Sequence, residues 1–233
     1  MTRNVFSALA RRKQLSALSR SLFQVETNEE PELYLWGLKV SLDGPVPENQ
    51  FDALCAARKV FECNITRMHT EPDIMLYAPE RFLILVEAKF MSGNTIAKPD
   101  EKDVSGEKPK SPAGILKRYS VDRLPSGSLL TPPNGTPFFS QLYRNLVFAI
   151  HMAGQLNVQW GLVNLTTKRA CEERSADLAT FTSAVLPLKS RQRFVRYTWE
   201  QLFHDHVEGK GDFHELATYL QFKSENRHPA FEI

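Results

Sequence analysis

Glu71-Pro72-Asp73-Ile74-Met75-Leu76-Tyr77, then Ala78-Pro79-Glu80-Arg81, then Phe82-Leu83-Ile84-Leu85-Val86-Glu87-Ala88-Lys89: these nineteen residues decide how the chain is read. The two apolar runs have strand composition and the segment between them has turn composition, so the stretch predicts a β-hairpin. Side chains alternate along a strand, which puts Glu87 and Lys89 on one face. Closing the hairpin brings Asp73, where the first strand begins, beside both. Two carboxylates and an ammonium at one end of a buried hairpin are costly to desolvate unless something uses them. A divalent cation suits them: magnesium is held by one or two carboxylates together with waters and phosphate oxygens.

Outward from the hairpin, apolar positions at Val5, Leu9, Leu15, Leu18, Leu22 and Phe23 predict a helix over residues 5–23. Residues 33–42 fit a strand or a second short helix, and the pattern does not choose. Asp43-Gly44-Pro45-Val46-Pro47 reads as a turn and 51–61 as a helix. Residues 91–114 are rich in Lys, Pro, Ser, Gly, Asp and Glu, which predicts a long flexible loop. A short helix from 115, a Pro/Gly-rich loop over 124–137, and a helix over 141–153 with its stripe at Leu142, Leu146, Ala149 and Ile150 follow. Strands at 159–165 and 193–197 and closing helices at 199–206 and 213–222 complete the reading. This order predicts an α/β sandwich around a mixed sheet, in a single domain over 1–233 with an N-terminal helical and strand region at 1–50 and a core at 51–222.

Composition bounds the rest. At 233 residues, 42% hydrophobic and 24% charged, the chain has the make-up of an ordinary globular domain. Its net charge of +2 hides local basic clusters at Arg11-Arg12-Lys13, at Lys108, Lys110, Lys117 and Arg118, and at Arg191, Arg193 and Arg196. No stretch is apolar enough to span a bilayer, and Arg11-Arg12-Lys13 interrupts any signal-peptide core, so the cytoplasm is expected. Cys55, Cys63 and Cys171 lack C-x-x-C spacing and read as reduced, partly buried thiols with no zinc or iron–sulfur site. His204-Asp205-His206 invites a metal reading, but residues two apart on a helix do not face each other, so it reads as a surface group.

Pro72-Asp73, thirteen intervening residues and Glu87-Ala88-Lys89 together resemble the PD-(D/E)xK nuclease superfamily. The resemblance covers residues 60–220 and implies a restriction-endonuclease-like three-layer sandwich, a central mixed β-sheet flanked by helices. It implies a metal-dependent DNA phosphodiesterase with Mg2+, or Mn2+ in its place. Asp73, Glu87 and the Ala88 carbonyl would be the metal ligands. Lys89 would act on the attacking water or the phosphate, and Gln141 would be the glutamine that many members carry on the next helix. Glu71 is a candidate accessory ligand, and Arg144, with Lys108, Lys110, Lys117 and Arg118, a candidate contact to nucleic acid. Members also supply an acid from the first helix. Here no acid lies between Met1 and Gln24, which leaves Glu26, Glu29, Glu30, Glu32, Glu48 and Glu62 as candidates. DNA is the expected partner, with a second protein or a further copy of the chain alongside it. The alternatives are a nucleic-acid-binding module that has lost turnover and an interaction protein on the same fold.

Overall fold

The computed structural model describes residues 2–27, 29–41, 50–67, 69–90 and 93–218. The segment expected to be one helix is two, α1 (Thr2–Arg11) and α2 (Leu15–Phe23). The chain breaks between them at Lys13, whose φ of 53° is left-handed. Glu30 closes the break: its carboxylate accepts from the Leu15 amide at 2.5 Å and the Ser16 amide at 3.3 Å, meeting the donors that open α2.

The ambiguous segment at 33–42 is a hairpin, β1 (Glu32–Leu35) and β2 (Leu38–Lys39), which resolves it as strand. The predicted turn at 43–47, and Glu48 with it, lies outside the described residues. Then come α3 (Asp52–Phe61), β3 (Ile74–Ala78), β4 (Phe82–Ala88), α4 (Pro112–Arg118), α5 (Ser140–Leu156), β5 (Gln159–Thr166), α6 (Lys168–Glu173), α7 (Ser175–Val185), β6 (Phe194–Thr198) and α8 (Trp199–His206). Neither α6 nor α7 was expected. Residues 214–218 are helical, and the rest of the predicted closing helix, from 219, falls outside the described residues.

The strands form one six-stranded open sheet in the order β2-β1-β3-β4-β5-β6. β1, β3 and β4 run antiparallel, with Ile74 opposite Val86, and β4, β5 and β6 run parallel. The sheet is therefore mixed, and helices flank it. Met75, Leu83, Leu85 and Leu162 pack with α3, α5 and α7 on one face. Ile74, Leu76, Ile84, Val86 and Val163 pack with α1, α2 and α8 on the other. This arrangement is compatible with a three-layer sandwich. Burial on both faces explains why β3 and β4 are apolar runs rather than alternating ones.

The loop expected to be flexible closes back on itself. Asp103 accepts from the Lys110 and Ser111 amides at 2.7 and 2.9 Å and from the Ser111 hydroxyl at 2.8 Å. Ser111 in turn caps α4 through the Gly114 amide. Nearer the hairpin, Asn94 is buried and donates to the Asn164 side chain at 2.8 Å, and Ala97 donates to the Phe138 carbonyl. One acidic residue of the loop, Asp103, is thus the acceptor that closes it. Among the described residues, no helix is long and apolar enough to cross a membrane.

Candidate metal and phosphate site

The site sits where β3 begins and β4 ends. Leu83 and Leu85 face α5 and Val86 faces away, so the alternation carries Glu87 and Lys89 toward α5. Met75 faces the same way, and two residues earlier Asp73 does too. The Ala88 amide donates to the Asp73 carboxylate at 2.8 Å. The strand end therefore ties the aspartate beside Glu87 without using a side chain.

Glu87 is fully buried. One oxygen accepts from the Asn145 amide of α5 at 2.8 Å. The other, Oε1, lies 2.5 Å from the Lys89 ammonium, a buried ion pair whose direction departs from that of a regular hydrogen bond. Burial, and after it the charge of Asp73, lifts the Glu87 carboxyl to about 7, against the opposing pull of Lys89 and Asn145. Lys89 is itself held from behind: the Trp199 indole of α8 donates to its carbonyl at 3.1 Å.

A second group of charges gathers beside the first. Arg144 precedes Asn145 on α5 and donates to the Pro109 carbonyl at 3.4 Å. Lys108 donates to the His69 carbonyl at 3.2 Å. Burial lowers the pKa of Lys108, and so does Arg144, whereas Glu62, Glu71 and Glu87 raise it. Burial also lowers Arg144, while Tyr119, Glu62 and Glu87 oppose the shift. Those couplings place both cations within the field of Glu87 and Glu62.

Glu62, at the end of α3, is buried and accepts from the Thr70 amide at 2.8 Å, from the Thr70 hydroxyl, and from the Tyr119 hydroxyl at 2.6 Å. With Arg58, which donates twice to the Thr70 carbonyl and pairs with Glu71 at 3.3 Å, it fixes the segment that delivers Asp73.

Of the residues singled out from sequence, Asp73, Glu87, Ala88 and Lys89 come together, with Lys108 and Arg144 within the electrostatic reach of Glu87. Glu71 is exposed and paired with Arg58. Gln141 is half-buried in the first turn of α5, one turn before Asn145. Ser140 is the first residue of that helix, not its N-cap; Phe139 holds that position. Lys110 lies 3.9 Å from Glu107, Lys117 is exposed, and Arg118 donates to the Phe61 carbonyl at 3.4 Å.

Among the candidate acids, Glu30 caps α2 and Glu32 binds Lys39 and Tyr34, opposite Tyr77 at the far end of β3. Glu62 acts with Glu87 on Lys108 and Arg144, and its carboxylate is already hydrogen-bonded. Among the described residues, no group of three or more His, Cys, Asp or Glu is placed to hold a metal.

Sequence reasoning missed Asn145. Its signal was there: it is a polar residue one turn from Leu142 within an inward stripe, and a buried polar group is the informative exception on such a face. The His204-Asp205-His206 reading divides: His204 is exposed against Glu208, whereas His206 is buried with Nε2 3.2 Å from the Ser21 hydroxyl. No disulfide forms, and Cys63 is exposed rather than partly buried. Searches against protein-family models, curated proteins and solved structures gave no match.

Proposed function

We propose that the chain is a metal-dependent DNA phosphodiesterase of the PD-(D/E)xK type, on a restriction-endonuclease-like sandwich. The observation that carries the reading is Glu87: a fully buried carboxylate beside a second one, raised by burial and by Asp73, at the end of a hairpin that also delivers Lys89. A divalent cation is the group that such a pair lacks. Asp73, Glu87 and the Ala88 carbonyl would hold it, with water and phosphate oxygens completing its shell. An ion held there would supply Lewis-acid polarisation of a phosphate oxygen and a more acidic water.

The chain's own residues do the rest. Asn145 and the Ala88 amide hold the two carboxylates in place, one each. The Lys89 ammonium, beside Glu87 and anchored through Trp199, stabilises the charge that develops on the phosphate or orients the attacking water. Lys108 and Arg144 supply positive charge next to the carboxylates, suited to phosphate oxygens and independent of base sequence. Two carboxylates with two flanking cations favour one ion over two. The cytoplasm is the compartment this reading assigns.

The test is cleavage of plasmid and linear DNA with magnesium or manganese. Asp73→Ala, Glu87→Ala and Lys89→Ala should each abolish cleavage while the fold persists, and calcium should support binding without turnover, because its looser, longer-range shell does not align water and phosphate. Wild-type rates from Glu87→Ala under magnesium would overturn the mechanism. DNA binding with no cleavage by the wild type in either metal would instead favour the binding module.

A further inference from the structure

We infer that Trp36 is a stacking platform for an unpaired base, and that the DNA this site takes is single-stranded or locally opened at the scissile position. The inference rests on the nuclease reading and names its substrate form.

Trp36 and Gly37 are the two residues between paired Leu35 and Leu38, and both have positive φ, 52° and 84°. That is the two-residue hairpin turn in which Asn-Gly is the favoured pair. Gly37 is bound to its place twice over. Its φ is left-handed, and a Cβ there would lie 2.7 Å from the Leu54 side chain. Trp36 has no such excuse. Of the five non-glycine residues with positive φ among the described residues, Trp36 is the bulkiest, and a bulky side chain in the left-handed region carries a backbone cost that something else must offset. Asn would fit this turn at lower cost, and an indole is there instead.

Where the ring stands gives the strain a purpose. The Trp36 amide donates to the Asp73 carbonyl at 3.3 Å, so the turn is fastened to the residue whose carboxylate lies beside Glu87. The indole is 46% exposed, whereas Trp199 is 1% exposed and Trp160 lies under the Arg193 guanidinium. The turn that carries this exposed aromatic is thus fastened to the strand start that holds Asp73, and Lys108 and Arg144 lie within the electrostatic reach of Glu87. Cations that hold a phosphate and an aromatic face that holds the adjoining base are the two parts from which single-strand sites are built. In a paired duplex the base faces are covered by their neighbours, so the platform favours DNA whose bases are unstacked.

The experiment measures affinity in calcium for a mixed-sequence single-stranded oligonucleotide and for the matching duplex, by anisotropy, with indole fluorescence as a second readout. Trp36→Asn suits the left-handed turn and should raise thermal stability. It should nonetheless weaken single-strand binding by about 5- to 100-fold, the ordinary worth of one stacked base. Duplex affinity should hardly change. Trp36→Phe should keep most of the single-strand affinity, and single-stranded DNA should quench the wild-type fluorescence but leave that of Trp36→Asn unchanged. Wild-type single-strand affinity in Trp36→Asn, or equal losses for strand and duplex, overturns the inference while magnesium-dependent cleavage by the wild type leaves the nuclease reading standing. A wild-type protein that binds neither DNA form at any salt overturns both.

Discussion

Glu87 is the residue from which the site's pH behaviour follows. Burial, then Asp73, raises its carboxyl from 4.5 to about 7. Between those values the folded chain binds more protons than the unfolded one, so stability falls as pH rises through the window. The contribution is fully present below the lower value and lost above the upper one, by up to about 3 kcal/mol. The metal-free melting temperature should therefore drop from about pH 5 to about pH 8, and Glu87→Gln should flatten that drop. An equally steep decline in the variant would remove Glu87 as its source. Magnesium should restore more stability at the alkaline end, where the carboxylate is charged and unneutralised. Asn145 gives a second expectation. Asn145→Ala strips Glu87 of its neutral donor and should weaken magnesium binding by about 10- to 100-fold by calorimetry. Gln141→Ala, one turn earlier, should weaken it less. The reverse order would restore Gln141 to the role that the family resemblance implies.

At the scale of elements, the sheet and its helices are fitted through small residues. Gly161 of β5 is the clearest case: a Cβ there would lie 2.7 Å from the Phe23 ring at the end of α2. Neighbouring strand residues on that face are Ile84 and Val163, which pack with α1, α2 and α8. Gly161→Ala must push α2 outward or tilt the ring, at a cost of about 1–3 kcal/mol in urea unfolding. Magnesium affinity should be unchanged, since Glu87, Lys89 and Asn145 lie across the sheet. A stable Gly161→Ala protein with wild-type midpoint would show that Phe23 moves freely. The hairpin of β3 and β4 was readable because its period and turn are local signals. The hairpin of β1 and β2 was not, because Trp36-Gly37 is a turn made against residue preference.

Across the whole molecule, the basic residues once grouped as a single DNA-binding surface separate. The net charge is only +2, so on the proposed function local placement would decide where phosphate binds. Lys108 is half-buried and feels the charges of Glu62, Glu71 and Glu87, whereas Lys110 has Glu107 beside it and Lys117 lies exposed on α4. Lys108→Ser should lower the salt slope of DNA binding by about one unit and weaken all sequences alike. The double change Lys110→Ser with Lys117→Ser should leave the slope near wild type. If the double variant loses the slope and Lys108→Ser does not, the backbone runs over α4 instead.

The sequence by itself determined what depends on near neighbours. The strand pair, its turn, the shared face of Glu87 and Lys89, and the helix carrying Leu142 and Leu146 follow from periodicity and turn chemistry over a few residues. The Pro72-Asp73 and Glu87-Ala88-Lys89 spacing marked the candidate site for the same reason. Only the tertiary structure decided what required distant parts of the chain to meet. Asn145 reaches Glu87 across 58 positions, and Trp199 reaches Lys89 across 110. Glu62 emerged among the described candidate acids because α3 packs beside α5, not because of its neighbours in sequence. The flexible-looking loop is held by Asp103, which accepts from Lys110 and Ser111 farther along it. A buried carboxylate acquires its character from what excludes water around it and which charges remain within a few ångströms, and neither is a property of the local string.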